Sequence, residues 1–149
     1  MTFFFDGACR GNGGAKAAGG AGAHLDRIGE DGSRKTIWAD SCGLQYGCNS
    51  ATKVTKDTAE LRGVEMVANR LAHLAMLDRK DPERAQALGG VGKVFVAGDS
   101  EMDSGIWWGE RAARHPTLAA IVRRVQRTFR QAERSLKIEV VYISGFLGI

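Results

Sequence analysis

Three acidic residues stand where their carboxylates could do chemistry together. Asp6 closes the aromatic run Phe3-Phe4-Phe5 and precedes a glycine-rich stretch, Gly7 to Gly14. Asp99 closes a second short apolar run, Lys93 to Gly98. Glu60 lies one position before the apolar stripe of a predicted helix. An isolated buried carboxylate is costly, so such groups point into polar sites or toward a metal. If the two strands are neighbours, their aspartates meet at one edge, and a helix packed on the sheet brings Glu60 to them. Clustered carboxylates repel unless cations lie between them. An all-oxygen donor set suits magnesium (Mg2+) or manganese (Mn2+). Two such ions about 3.5–4 Å apart support phosphodiester hydrolysis. Taken singly, each residue has a plainer reading: Asp6 as a turn residue, Glu60 as a first-turn residue favoured by the helix dipole.

The elements that must position these residues follow from pattern. Residues 2–6 read as a first strand, and the Gly/Ala-rich stretch from Gly7 to Gly22 turns the chain back. Residues 21–25 begin a second strand. Asp31-Gly32 signals a hairpin, and residues 36–42 return as a third strand. Residues 43–56 read as loop. A helix follows, capped by Thr55 or Asp57, with Leu61, Val64, Val67, Ala68, Leu71, Leu74 and Ala75 at helical spacing. Asp81-Pro82 ends that region, and residues 78–92 read as a connection. After the strand ending on Asp99, residues 101–113 suit a short helix whose Trp107 and Trp108 pack into the core, with stacking on bases as the alternative. Pro116 opens another helix, with Leu118, Ile121, Val122, Val125, Phe129 and Ala132 as its apolar stripe. Residues 138–143 form a last strand. Strand, helix, strand implies parallel pairing through a right-handed crossover.

Composition narrows the classes. The chain has 149 residues, 44% hydrophobic and 26% charged, which suits one globular domain. No run is long and apolar enough for a membrane span, and no secretory leader is visible. Cys9, Cys42 and Cys48 form no CxxC pair, which favours a reducing, intracellular compartment and argues against structural zinc. They read as buried fillers, and His24, His73 and His115 as structural or surface residues. Residues 110–137 hold eight Lys or Arg against Glu110 and Glu133, so that segment is +6 and the remainder −2. Such asymmetry suggests a polyanionic partner, with Arg123, Arg124, Arg127 and Arg130 as candidate contacts. A solvated helix face accounts for it equally well.

The motifs in order resemble type I ribonuclease H. Phe5-Asp6-Gly7-Ala8-Cys9-Arg10-Gly11-Asn12-Gly13-Gly14 is similar to its opening "DGSCxGNPG" motif, and Thr55-Lys56-Asp57-Thr58-Ala59-Glu60-Leu61 to "TNNxxEL". Ala97-Gly98-Asp99-Ser100-Glu101 is similar to "TDSQ", and Val141-Tyr142-Ile143-Ser144-Gly145 to the "WVKGH" strand. The resemblance spans essentially the whole chain. It implies an α/β ribonuclease H-like fold with a mixed five-stranded sheet and helices on its faces. It implies Asp6, Glu60 and Asp99 as catalytic ligands of two Mg2+ or Mn2+ ions, and cleavage of the RNA strand of RNA·DNA hybrids. It also implies nucleic-acid contacts at Gly7, Cys9, Arg10, Asn12, Lys56, Asp57 and Ser100. Several positions depart from the pattern. Phe146 replaces the histidine of "KGH", Lys56 and Asp57 replace the two asparagines, Glu101 replaces the glutamine, and Gly13 replaces the proline. The family's fourth carboxylate lies in a further helix. The expectation is therefore one domain over 1–149, truncated at its C-terminus, with that helix supplied by a partner chain if the protein is active. The alternative expectation is a weakly active or inactive subunit of a larger assembly, either binding nucleic acid (an RNA·DNA hybrid or structured RNA) or purely structural.

Overall fold

The computed structural model describes residues 1–10, 18–45, 56–98 and 116–144. Five strands form one sheet: β1 (Thr2–Arg10), β2 (Ala18–Ile28), β3 (Arg34–Gln45), β4 (Lys93–Gly98) and β5 (Glu139–Ser144). Three helices accompany them among the described residues: α1 (Lys56–Met76), α2 (Pro82–Leu88) and α3 (Pro116–Leu136). The strand order is β3-β2-β1-β4-β5. The first three strands are an antiparallel meander, while β4 pairs parallel with both β1 and β5. This is the expected mixed α/β sheet.

Strand alternation sends Phe3, Phe5, Ala23, Leu25, Val94 and Val96 into the core, where α1 and α3 meet them. The predicted α1 stripe is buried from Leu61 to Leu74, and its last member, Ala75, is half-buried. In α3, Val122, Val125, Phe129 and Ala132 are buried as their spacing requires. Lys137 ends the helix with a φ of 55°, a left-handed conformation, and Ile138 N–H donates back to the Glu133 carbonyl at 3.2 Å. The β2–β3 hairpin closes on the predicted Asp31-Gly32 pair. Gly32 has a φ of 83°, and the Gly29 N–H donates to the Ser33 carbonyl at 2.8 Å. The Asp31 carboxylate accepts from the Ser33 hydroxyl and backbone, which holds it below the usual carboxylate range.

Four expectations are corrected. First, β1 does not end at Asp6. It runs to Arg10, because β2 continues the ladder through Gly7↔Ala21 to Arg10↔Ala18. The Gly and Ala content that suggested a turn is carried by backbone pairing. Secondly, β2 and β3 extend beyond their predicted bounds for the same reason. Thirdly, residues 78–92 contain α2. Asp81 starts that helix rather than ending the previous region: its carboxylate accepts from the Glu83 N–H at 2.9 Å, and Pro82 follows at the first turn. Arg27 of β2 donates to the Gln86 and Gly89 carbonyls at the other end of α2. Fourthly, Cys42 is exposed, not a buried filler, with its Sγ 4.0 Å from Met66 Sδ. The predicted helix at 101–113, Trp107, Trp108, Cys48 and His115 lie outside the described residues.

Candidate active site

Backbone proximity at one end of the sheet builds the site. Gly7 sits against the first turns of α1 so closely that a Cβ there would lie 2.3 Å from the Ala59 carbonyl carbon and 2.4 Å from the Glu60 nitrogen. Real side chains do not occupy such a space, so only glycine permits this approach. Its effect is to set Glu60 beside the residue that follows Asp6. Gly63 completes the fit: a Cβ there would lie 3.2 Å from the Asp6 carbonyl oxygen and 3.2 Å from the Phe5 Cβ. Glu60 is 1% exposed, the most deeply buried acidic side chain described, whereas Asp6 is exposed and accepts from the Gly7 N–H at 2.8 Å.

The third strand end arrives by pairing. β1 and β4 register as Thr2↔Phe95, Phe3↔Val96 and Phe4↔Ala97. Asp6 therefore lies two residues past the last registered residue of β1. Gly98 packs on Phe5, where a Cβ would fall 2.4 Å from the ring. Asp99 follows Gly98 in sequence but lies outside the described residues, as do Asn12 and Ser100. Cys9 and Arg10 are in β1, and Lys56 and Asp57 open α1. Asp6, Gly7 and Glu60 are thus brought together at the end of the sheet where β4 delivers Gly98. Both carboxylates present hard oxygen donors, and the donor chemistry fits a divalent cation. Among the described residues no cluster of three or more His, Cys, Asp or Glu is gathered for a metal.

The predicted basic residues divide. Arg123, Arg127 and Arg130 are exposed on α3. Arg124 is committed elsewhere: its guanidinium pairs with Glu65 of α1, which also pairs with Arg62. A further polar cluster had no recognisable sequence signal. Asp26 is buried on β2, accepts from the Thr36 hydroxyl at 2.6 Å, and lies 3.4 Å from Arg34 Nε and 3.6 Å from His24 Nε2. His24 stacks on Phe4 with ring centroids 4.9 Å apart. Gly63 could have been suspected, since an isolated glycine inside a helical pattern asks for a packing reason.

No family model matches the chain, and no curated protein matches it in sequence. Solved structures do resemble it. The PFV RNase H domain, determined in solution, is 12% identical with a TM-score of 0.54, over 97% of this chain and 78% of that one. The foamy viral protease-reverse transcriptase in complex with dsDNA is 13% identical with a TM-score of 0.52, over 99% of this chain and 82% of that one. The native protease-reverse transcriptase of Prototype Foamy Virus is 12% identical with a TM-score of 0.56, over 97% of this chain and 17% of that one. At these identities the likeness concerns the fold, which is ribonuclease H-like.

Proposed function

We propose that this protein is a divalent-metal-dependent nuclease that hydrolyses the RNA strand of RNA·DNA hybrids, with Asp6, Glu60 and Asp99 as its metal ligands. The observation that carries the reading is the Gly7–Ala59/Glu60 backbone contact, which sets two carboxylate residues from distant parts of the chain side by side. The parallel β1–β4 pairing supports Asp99 as the third. Two Mg2+ or Mn2+ ions held there would supply an activated water and stabilise the leaving oxygen. The chain's own contribution is placement. Burial holds Glu60 on the first turns of α1, and Asp6 presents its carboxylate to solvent, where a phosphodiester can approach. The part of the foamy viral protease-reverse transcriptase that this chain resembles, about 17% of that chain, belongs to a protein solved in complex with an RNA/DNA hybrid, which lends support to the substrate class.

The test is cleavage of a labelled RNA·DNA hybrid with manganese. Cleavage of the RNA strand alone, lost in Asp6→Asn, Glu60→Gln and Asp99→Asn, is the expected result. Cleavage at undiminished rate in all three variants would remove the reading. One sequence observation favours a second reading: Phe146 stands where the family pattern has a histidine credited with assisting proton movement and product release. On that reading the chain is a weak or inactive subunit that binds hybrid without cutting it. The same assay, run beside a binding measurement, separates the two.

A further inference from the structure

Helix α3 presents a row of guanidinium groups that the candidate site does not use. Arg123, Arg127, Arg130 and Arg134 recur at spacings of four, three and four residues. At 3.6 residues per turn they fall within about 60° of arc, and at 1.5 Å per residue the row is about 16 Å long. All four are exposed, while Val122, Val125, Phe129 and Ala132 on the opposite side are buried. None of the four forms an ion pair with a described carboxylate. The nearest acidic residue on the helix, Glu133, instead accepts from the Val140 N–H at 3.2 Å. Arg124, one position round from the row, is the arginine that does pair, with Glu65.

The row also has a direction. The Arg124–Glu65 pair places its Arg123 end level with the first half of α1, five residues after Glu60. Glu133 and Ile138 place its Arg134 end at the start of β5, the opposite end of the sheet from Gly98 and Ser144. The row thus leads away from the candidate site along the outside of the helix layer.

We infer that Arg123, Arg127, Arg130 and Arg134 form a track for the phosphate backbone of a nucleic-acid duplex whose other part lies at the candidate active site. The inference rests on the nucleic-acid reading above. Guanidinium forks match phosphate oxygens in pairs and stay charged at any physiological pH. One duplex strand carries a phosphate about every 3.4 Å of axis, so a row of about 16 Å is long enough to meet several in succession. A membrane surface is a poorer fit. A helix lying on lipid needs apolar side chains on its contact face, and those of α3 are spent on the core.

The experiment measures affinity for a 20-base-pair RNA·DNA hybrid across a salt series, using the whole chain in calcium, which permits binding and suppresses turnover. Arg127→Gln/Arg130→Gln should make the log–log salt slope shallower by about 1.8, since each phosphate contact is worth about 0.9. Arg123→Gln/Arg134→Gln should do the same, and circular dichroism confirms that both fold. Arg124→Gln should leave the slope in place. An unchanged slope in both double variants overturns the track, and so does an equal drop in Arg124→Gln. Binding to phosphatidylserine vesicles with none to hybrid also overturns it. A normal slope change in a chain that never cleaves keeps the track and refutes the nuclease. The reverse result, cleavage lost in Asp6→Asn with no arginine dependence of binding, keeps the nuclease and refutes the track.

Discussion

Tyr142 shows how a single position in β5 is governed by its surroundings. Its ring meets Phe129 edge-on at 5.8 Å, and burial, aided by the nearby Glu133 carboxylate, pushes its hydroxyl up to about 12. An unfolded tyrosine ionises near 10. The folded chain therefore keeps a proton that the unfolded chain has lost between those values. The stabilisation is fully present below pH 10 and is lost as pH rises through about 12. Urea denaturation at pH 8 and pH 11 should show a decline that Tyr142→Phe reduces. An equal decline in the variant would mean that other groups carry it. Glu60 makes the contrasting case among the acids. Its burial at 1% exposure is a commitment that a surface helix residue does not make, whereas Glu65 is occupied by two arginines, Arg62 on its own helix and Arg124, which ties α1 to α3.

Among the elements, the decisive joint is between β1 and α1. Helices usually keep their distance from a sheet through side chains, but here Gly7 and Gly63 let backbone approach backbone. Gly7→Ala drives a methyl into the Ala59–Glu60 peptide, so α1 must move off the sheet. Overpacking of this kind costs about 1–3 kcal/mol, measurable as a lower urea midpoint. Because the displaced turn carries Glu60, manganese-dependent cleavage should fall further than stability does. Wild-type stability in Gly7→Ala would show that α1 relaxes freely and that the contact does not position the site. The α2 helix teaches a different lesson. Asp81-Pro82 reads as a stop when the preceding helix is in view, but Asp then Pro is also a start. Its two ends are then held by Asp81 and Arg27, the second from a strand more than fifty residues earlier.

For the whole molecule, charge distribution and the proposed metal site each give a test. The chain is +4 overall, and its positive excess is concentrated in residues 110–137, of which Arg123, Arg127, Arg130 and Arg134 lie on the exposed side of α3. The proposed carboxylate site would exist only in the folded state, so a cation bound there would stabilise the fold by mass action. At a hundred times its dissociation constant, manganese should add about 2.7 kcal/mol. A thermal melt with and without manganese checks this. Most of the gain should disappear in Asp6→Asn, and a melting temperature indifferent to manganese would count against a native-state metal site. No helix among the described residues is long and apolar enough to cross a membrane.

Local pattern by itself determined most of the elements. The buried stripes of α1 and α3, the Asp31-Gly32 hairpin and the apolar strands were legible because side-chain period reports which face is covered. It also placed acidic residues after two apolar runs and one in a first helical turn. Pattern could not say that β1 outlasts Asp6, because glycine and alanine carry no strand signal and their place was decided by the β2 ladder. The strand–helix–strand order did imply the parallel pairing of β1 with β4, but not its register, Thr2↔Phe95 to Phe4↔Ala97, which joins residues more than ninety positions apart. The partner of Arg124 was equally hidden, because a charge on a helix face looks the same in sequence whether it meets solvent or Glu65. Which residues face the site is thus a matter of contacts between distant segments, made possible at Gly7, Gly63 and Gly98 by the absence of a side chain, and only the tertiary structure decides those.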